Sequence, residues 1–287
     1  MKLQSGLKPA FRDNRDLDFH QTFGAMVLFP DHYSVDAGRG FPNQHADGNP
    51  FECTAYTSAD IALDEDNIEY TPPYVYAKTL LLTGAPPTTQ GVQIRDALKA
   101  TRVYGLLPTE HTPKDLVDSP ENINADYTRW PVALDLEAAK HRRGKYFNVQ
   151  PLNGDWFDGI RSAIQMNNLS VSIGTPFYSE WVNVGKSGII SSVPNRKPDS
   201  WHCWAVKGWK TIDGAPYLLG KVWLGENYGD NGWAYFSREV INQLWRVHGT
   251  QAFTVVKATP EDVFTIKFDL MTTVIAFLYR VLAKLGR

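Results

Sequence analysis

Cys53 and His202 are the residues from which chemistry could be built in this chain. Behind Cys53 the apolar positions Tyr56, Ala59 and Leu63 recur at helical spacing, so the cysteine opens a helix. Unpaired backbone N–H groups and the macrodipole at such a start favour a thiolate over a thiol. His202 lies in Trp201-His202-Cys203-Trp204-Ala205-Val206, a strand whose bulky neighbours would hold an imidazole at a fixed angle. A neutral imidazole beside a thiol takes its proton and leaves a thiolate–imidazolium pair, the usual activation of a cysteine nucleophile. Each residue alone also has an ordinary reading, a small buried hydrophobe for the cysteine and a satisfied core histidine for the other. Cys203 follows His202 directly and, by strand alternation, points to the opposite face. It is expected to be a packed thiol, with a redox pair to Cys53 open only if that register is wrong.

The elements that must position these residues change period along the chain. Ile94, Ala97, Leu98 and Thr101 mark a second helix, and Trp156, Ile160, Ala163 and Ile164 a third. Leu169, Val171 and Ile173 then alternate as a strand. Further strands are expected at Trp201–Trp209, Tyr217–Leu224, Trp233–Arg238 and Thr250–Lys257, each rich in aromatic or β-branched residues. A helical half followed by a strand-rich half predicts an α+β fold. The expected organisation is an N-terminal arm over 1–29, a main domain over 30–258 and a terminal helix over 259–287. The main domain divides into a mainly helical part, 30–150, and a mainly β part, 151–258.

The bulk properties narrow the partners. A formal net charge of −2 gives no reason to expect nucleic acid. Two cysteines among 287 residues are too few for a disulfide framework, and no Cys or His spacing suggests zinc, so neither a metal nor an organic cofactor is expected. The first residues turn polar at once and run into the charged stretch Arg12–Asp18. With no apolar signal core, the expected location is the cytoplasm or a particle assembled inside the cell.

Several segments together resemble the papain-like cysteine peptidases, in particular the prokaryotic branch with Cys-Thr-Ala at the nucleophile. Tyr33-Ser34-Val35-Asp36 is similar to the family's mature start, Pro42-Asn43-Gln44 to the segment of its oxyanion-hole glutamine, and Cys53-Thr54-Ala55 to its nucleophile. Gly91-Val92-Gln93-Ile94-Arg95-Asp96-Ala97-Leu98, followed by Gly105 and Pro108-Thr109-Glu110, resembles the substrate-binding glycine and the next helix. His202 through Gly208-Trp209 resembles the strand of the catalytic histidine, and Gly229-Asp230-Asn231-Gly232-Trp233 the glycine turn after it. The match spans roughly Tyr33 to Arg238.

The resemblance implies a two-lobed fold with a cleft between a helical and a barrel-like lobe, and hydrolysis of peptide or isopeptide bonds in a peptide or protein substrate. Cys53 would be the nucleophile and His202 base, then acid. Gln44 and the Cys53 N–H would stabilise the oxyanion, and Gly91 would lie where a substrate backbone pairs. The sequence departs from the family in three places. The interval from Gln44 to Cys53 is longer, Pro50-Phe51-Glu52 replaces the residues before the nucleophile, and Val222 stands where an ungapped alignment expects the catalytic asparagine. Asn227 is the substitute if the loop before Gly229 contracts. These departures keep a second reading open, a papain-like domain retained as a structural or binding component of a larger assembly. An acyltransferase or amidase on the same fold shares the Cys–His pair. Over 259–287 an apolar stripe of Phe264, Phe268, Met271, Ile275, Leu278, Leu282 and Leu285 faces Asp269, Thr273, Arg280, Lys284 and Arg287. That amphipathic helix is expected to dock onto another subunit or a membrane surface.

Overall fold

The computed structural model describes residues 6–9, 13, 15–38, 40–117 and 126–256. The expected C-terminal helix therefore lies outside the described residues. In the first half, short α1 (Phe19–Phe23) and β1 (His32–Ser34) precede α2 (Cys53–Asp66), α3 (Pro72–Thr83), α4 (Ile94–Val103), α5 (Lys114–Val117) and α6 (Val132–Ala138). The second half holds β2 (Tyr146–Asn148), α7 (Trp156–Asn167), β3 (Val171–Phe177), β4 (Ile189–Ile190), β5 (Ser200–Ile212), β6 (Ala215–Lys221), β7 (Trp233–Ser237), α8 (Arg238–His248) and β8 (Gln251–Val255). The fold is α+β, with one sheet ordered β2-β8-β3-β5-β6-β7-β4 and β1 added against β5. Every pairing is antiparallel except β4 with β7.

The central strand β5 decides where the site lies, because its two faces enter two different cores. Trp204 and Val206 point into a cluster with Phe177, Val222 and Phe236, backed by Ile160 of α7 and Leu244 of α8. Cys203 and Ala205 point the other way, into a cluster with Cys53, Tyr56 and Ile61 of α2 and with Ile94 and Leu98 of α4. The sheet is thus packed on both sides, and β3 is buried at every position, its polar Ser172 and Thr175 included.

A buried ionic cluster locks α2 to the sheet. Lys207 of β5 pairs with Asp60 and, at 2.6 Å, with Asp64, while Lys221 at the end of β6 pairs with Asp60 at 2.8 Å. Ser170 also donates to Asp64. Asp60 and Asp64 sit one turn apart on α2, so both reach the same strand pair. Burial pushes the Asp64 carboxyl up to about 6, against the pull of Lys207.

Candidate active site

Cys53 is the first residue of α2, following Glu52, whose side chain makes no cap hydrogen bond. The thiol is fully buried. Burial raises its pKa first of all, and Cys203 adds to the rise, while the N–H groups of Cys203, Gly6 and Thr54 pull the other way. Its sulfur thus faces the backbone that links His202 to Cys203. The Cys203 thiol lies 3.2 Å from the Ser172 hydroxyl and within the same cluster as Cys53. Strand alternation holds as expected, since His202 and Cys203 face opposite cores. The inference drawn from it is corrected: the face away from the imidazole is the face that meets Cys53.

The His202 ring is fully buried between Phe177 and Trp204, with centroids 5.3 Å and 5.5 Å away. Neither ring nitrogen has a hydrogen-bond partner, so no bond joins it to Cys53 or to an orienting amide. Desolvation first, and His45 second, pull its pKa down to about 3. At neutral pH the imidazole is uncharged, the state a base needs.

Gln44 is buried and its backbone N–H bonds the Trp223 carbonyl at 3.1 Å. Its side-chain Nε2 donates to the Pro50 carbonyl at 2.8 Å. The lengthened interval before Cys53 folds back as a turn over 44–48 and supplies that acceptor, which draws this donor away from an oxyanion position. Val222 is buried in the cluster that also holds Phe177 and Trp204. Asn227 is corrected as an orienting residue: it is exposed in the turn between Gly225 and Gly229, while the next residue, Tyr228, is buried and bonds the Trp181 carbonyl. Pinning Tyr228 inward turns its neighbour out.

Gly91 adopts φ +73° and donates its N–H to the Tyr76 hydroxyl at 2.9 Å. A Cβ there would lie 2.6 Å from the Gly6 backbone, because the chain's own N-terminal residues run past it. Val92 N–H bonds the Gly6 carbonyl at 2.8 Å and Lys8 N–H bonds the Val92 carbonyl at 3.0 Å. The two segments pair parallel, Leu7 opposite Val92. Gly6 presses on the Phe51–Glu52 peptide so closely that an added Cβ would sit 1.8 Å from the Phe51 carbonyl oxygen. Leu7 is only 8% exposed and packs over Gly174, whose missing Cβ leaves room for the leucine methyls. Beyond Leu7 the groove continues as a cavity of about 270 Å³ lined by Lys8, Pro9, Ile94, Trp201 and Gln251. Gly6, Leu7 and Gly174 were missed as site residues in sequence. No periodicity or motif in the first residues singles them out.

No protein-family model matches the chain, and no curated protein matches it. Solved structures do. Xylellain, a cysteine protease from Xylella fastidiosa, superposes with a TM-score of 0.71 and 18% identity over 90% of this chain and 97% of that one. ProCathepsin B S9 from Trypanosoma congolense gives 0.61 and 13% over 90% and 88%. Digestive procathepsin L 3 of Tenebrio molitor larval midgut gives 0.59 and 10% over 89% and 76%. At these identities the likeness is one of fold, and the fold is papain-like.

Proposed function

We propose that this chain is a papain-like cysteine hydrolase of peptide or isopeptide bonds, kept latent by its own residues 6–8. The observation that carries this reading is an extended segment hydrogen-bonded to Val92 beside Gly91, with Gly6 at the Cys53 helix start and Leu7 in an apolar pocket. A groove that binds one extended chain by backbone pairing and a side-chain pocket is built for another. With the arm displaced, water reaches Cys53 and the desolvation that suppresses its thiolate is relieved. Because the His202 ring lies on the other face of β5, its taking the thiol proton as the sulfur attacks the carbonyl carbon, and returning it to the leaving amine, requires that displacing the arm also bring the ring round to Cys53. The Cys53 N–H, at the start of α2, stabilises the oxyanion. Gln44 joins it only by exchanging its bond to Pro50, and losing one such donor costs on the order of 10²–10³ in rate.

A binding module without turnover is the second reading, favoured by Val222 at the expected asparagine position and by the unpartnered His202 ring. Leu7→Asp places a charge in the apolar pocket and should expel the arm. That variant should cleave a fluorogenic peptide library, with turnover abolished by Cys53→Ala and lowered about 10²–10⁴-fold by His202→Ala. Peptide binding to the Leu7→Asp chain without any hydrolysis would decide for the binding module.

A further inference from the structure

Cys53 and Cys203 are the only cysteines in the chain, and the fold brings both into one buried cluster. Strand alternation favours the meeting, because the face of β5 turned away from His202 is the one that α2 covers. The Cys53 sulfur lies against the Cys203 N–H at the start of α2. The Cys203 sulfur stands 3.2 Å from the Ser172 hydroxyl and is also faced by the Thr57 hydroxyl, one turn along α2. Thr57 in turn donates to the Cys53 carbonyl at 2.8 Å, so both thiols meet the first turn of the same helix. Both are free and fully buried.

We propose that Cys53 and Cys203 form a reversible disulfide when a peroxide reaches Cys53, with Cys203 as the resolving thiol. The sealed chain is protected, since burial pushes both thiols up, Cys203 to about 11, and the thiolate is the reacting form. The arm touches Cys53 directly through the Gly6 N–H, whereas the groups acting on the Cys203 thiol are Ser172 and Thr57. Displacing residues 6–8 therefore uncovers Cys53 first. The proposal rests on that part of the functional reading and not on turnover.

In the first step the Cys53 thiolate attacks one peroxide oxygen. The S–O bond forms as the O–O bond breaks, and the departing hydroxide takes up the thiol's proton as water, leaving a sulfenic acid oxidised by two electrons. The Cys203 sulfur then attacks the Cys53 sulfur. The S–S bond forms as the S–O bond breaks, and hydroxide leaves with the Cys203 proton as a second water. The disulfide stops Cys53 short of the irreversible sulfinic acid, and a thiol reductant restores both cysteines.

The test treats full-length wild type and Leu7→Asp with hydrogen peroxide, blocks free thiols with N-ethylmaleimide in denaturant and reads the intact mass. Leu7→Asp should lose about 2 Da, take up no label and yield a peptide linking Cys53 to Cys203, with both thiols labelled again after dithiothreitol. In Leu7→Asp/Cys203→Ser, Cys53 should instead gain two oxygens that dithiothreitol does not remove. Sulfinic acid at Cys53 of Leu7→Asp while Cys203 still takes label, or a disulfide only between two chains, would overturn the proposal. Wild type should form the same bond on the order of tenfold more slowly, through local opening. Should Leu7→Asp fold poorly, longer exposure of wild type decides by the same masses. Equal rates of bond formation in the two chains would support the disulfide and overturn the seal by residues 6–8, which keeps the two readings distinguishable.

Discussion

Glu52, directly before the candidate nucleophile, is a buried carboxyl whose effect falls on stability. It stands at the cap of α2, fully buried, with neither carboxyl oxygen hydrogen-bonded, and desolvation raises its pKa well above the ordinary 4.5. It is not among the groups that act on the Cys53 thiol, whose own burial and Cys203 are the causes. Its consequence is for stability. The folded chain holds a proton on Glu52 that the unfolded chain releases above about 4.5, so the unfolded state binds fewer protons and stability falls as pH rises toward the folded pKa. Glu52→Gln cannot ionise. We expect it to be more stable than wild type by about 1–3 kcal/mol at pH 8 and by much less at pH 5, as measured by urea unfolding. A difference that is equal at the two pH values would mean that Glu52 is ionised in the folded chain.

At the scale of elements, the arm and α2 form a seal whose tightness rests on a missing side chain. Gly6 sits where a Cβ would collide with the Phe51 carbonyl, so Gly6→Ala should push the arm out without changing any residue of the groove itself. Labelling of Cys53 by iodoacetamide at neutral pH should be slow in wild type and on the order of tenfold faster in Gly6→Ala. An unchanged rate would show that residues 6–8 do not control access to the thiol. Helices α4 and α7 were legible because each leaves a polar face to solvent, and α2, though buried from Cys53 to Leu63, because Thr57, Ser58 and Asp60 interrupt its apolar positions and find buried partners. Helix α3 was not, since it is buried from Pro73 to Leu80 without a break and so carries no 3.6-residue alternation. Helix α8 was legible in principle, with Ser237 capping a stripe of Val240, Ile241, Leu244 and Trp245. Its start was read instead as the end of the strand Trp233–Arg238, which stops at Ser237.

For the whole molecule, the joint between the helices and the sheet depends on charges buried together. Lys207 is fully enclosed and holds Asp60 and Asp64, so removing its ammonium leaves Asp64 without a cation beside an Asp60 held by Lys221 alone. Lys207→Met should cost about 3–5 kcal/mol in urea unfolding at pH 7, the penalty of an uncompensated buried charge rather than of one lost bond. The loss should shrink toward pH 5, because Asp64 already titrates near 6 with Lys207 present and protonates more readily without it. A cost below about 1 kcal/mol at pH 7 would show that solvent reaches the cluster.

The sequence by itself determined the α+β class, the helix opened by Cys53 and the strand bearing His202, because periodicity and end signals are local properties that neighbours in the chain decide. The resemblance singled out Gly91, and the structure finds the segment of Gly6 to Lys8 bonded to Val92 beside it. Only the tertiary structure decided what occupies that edge, which face of β5 meets Cys53, where the Gln44 amide points and that Asn227 is turned outward. Those outcomes depend on contacts between residues far apart in number, Gly6 with Val92 or Asp60 with Lys207, and such pairings leave no period in the chain. Leu7 becomes meaningful as a groove residue only once Gly174, on β3, is seen to leave a space for its methyls.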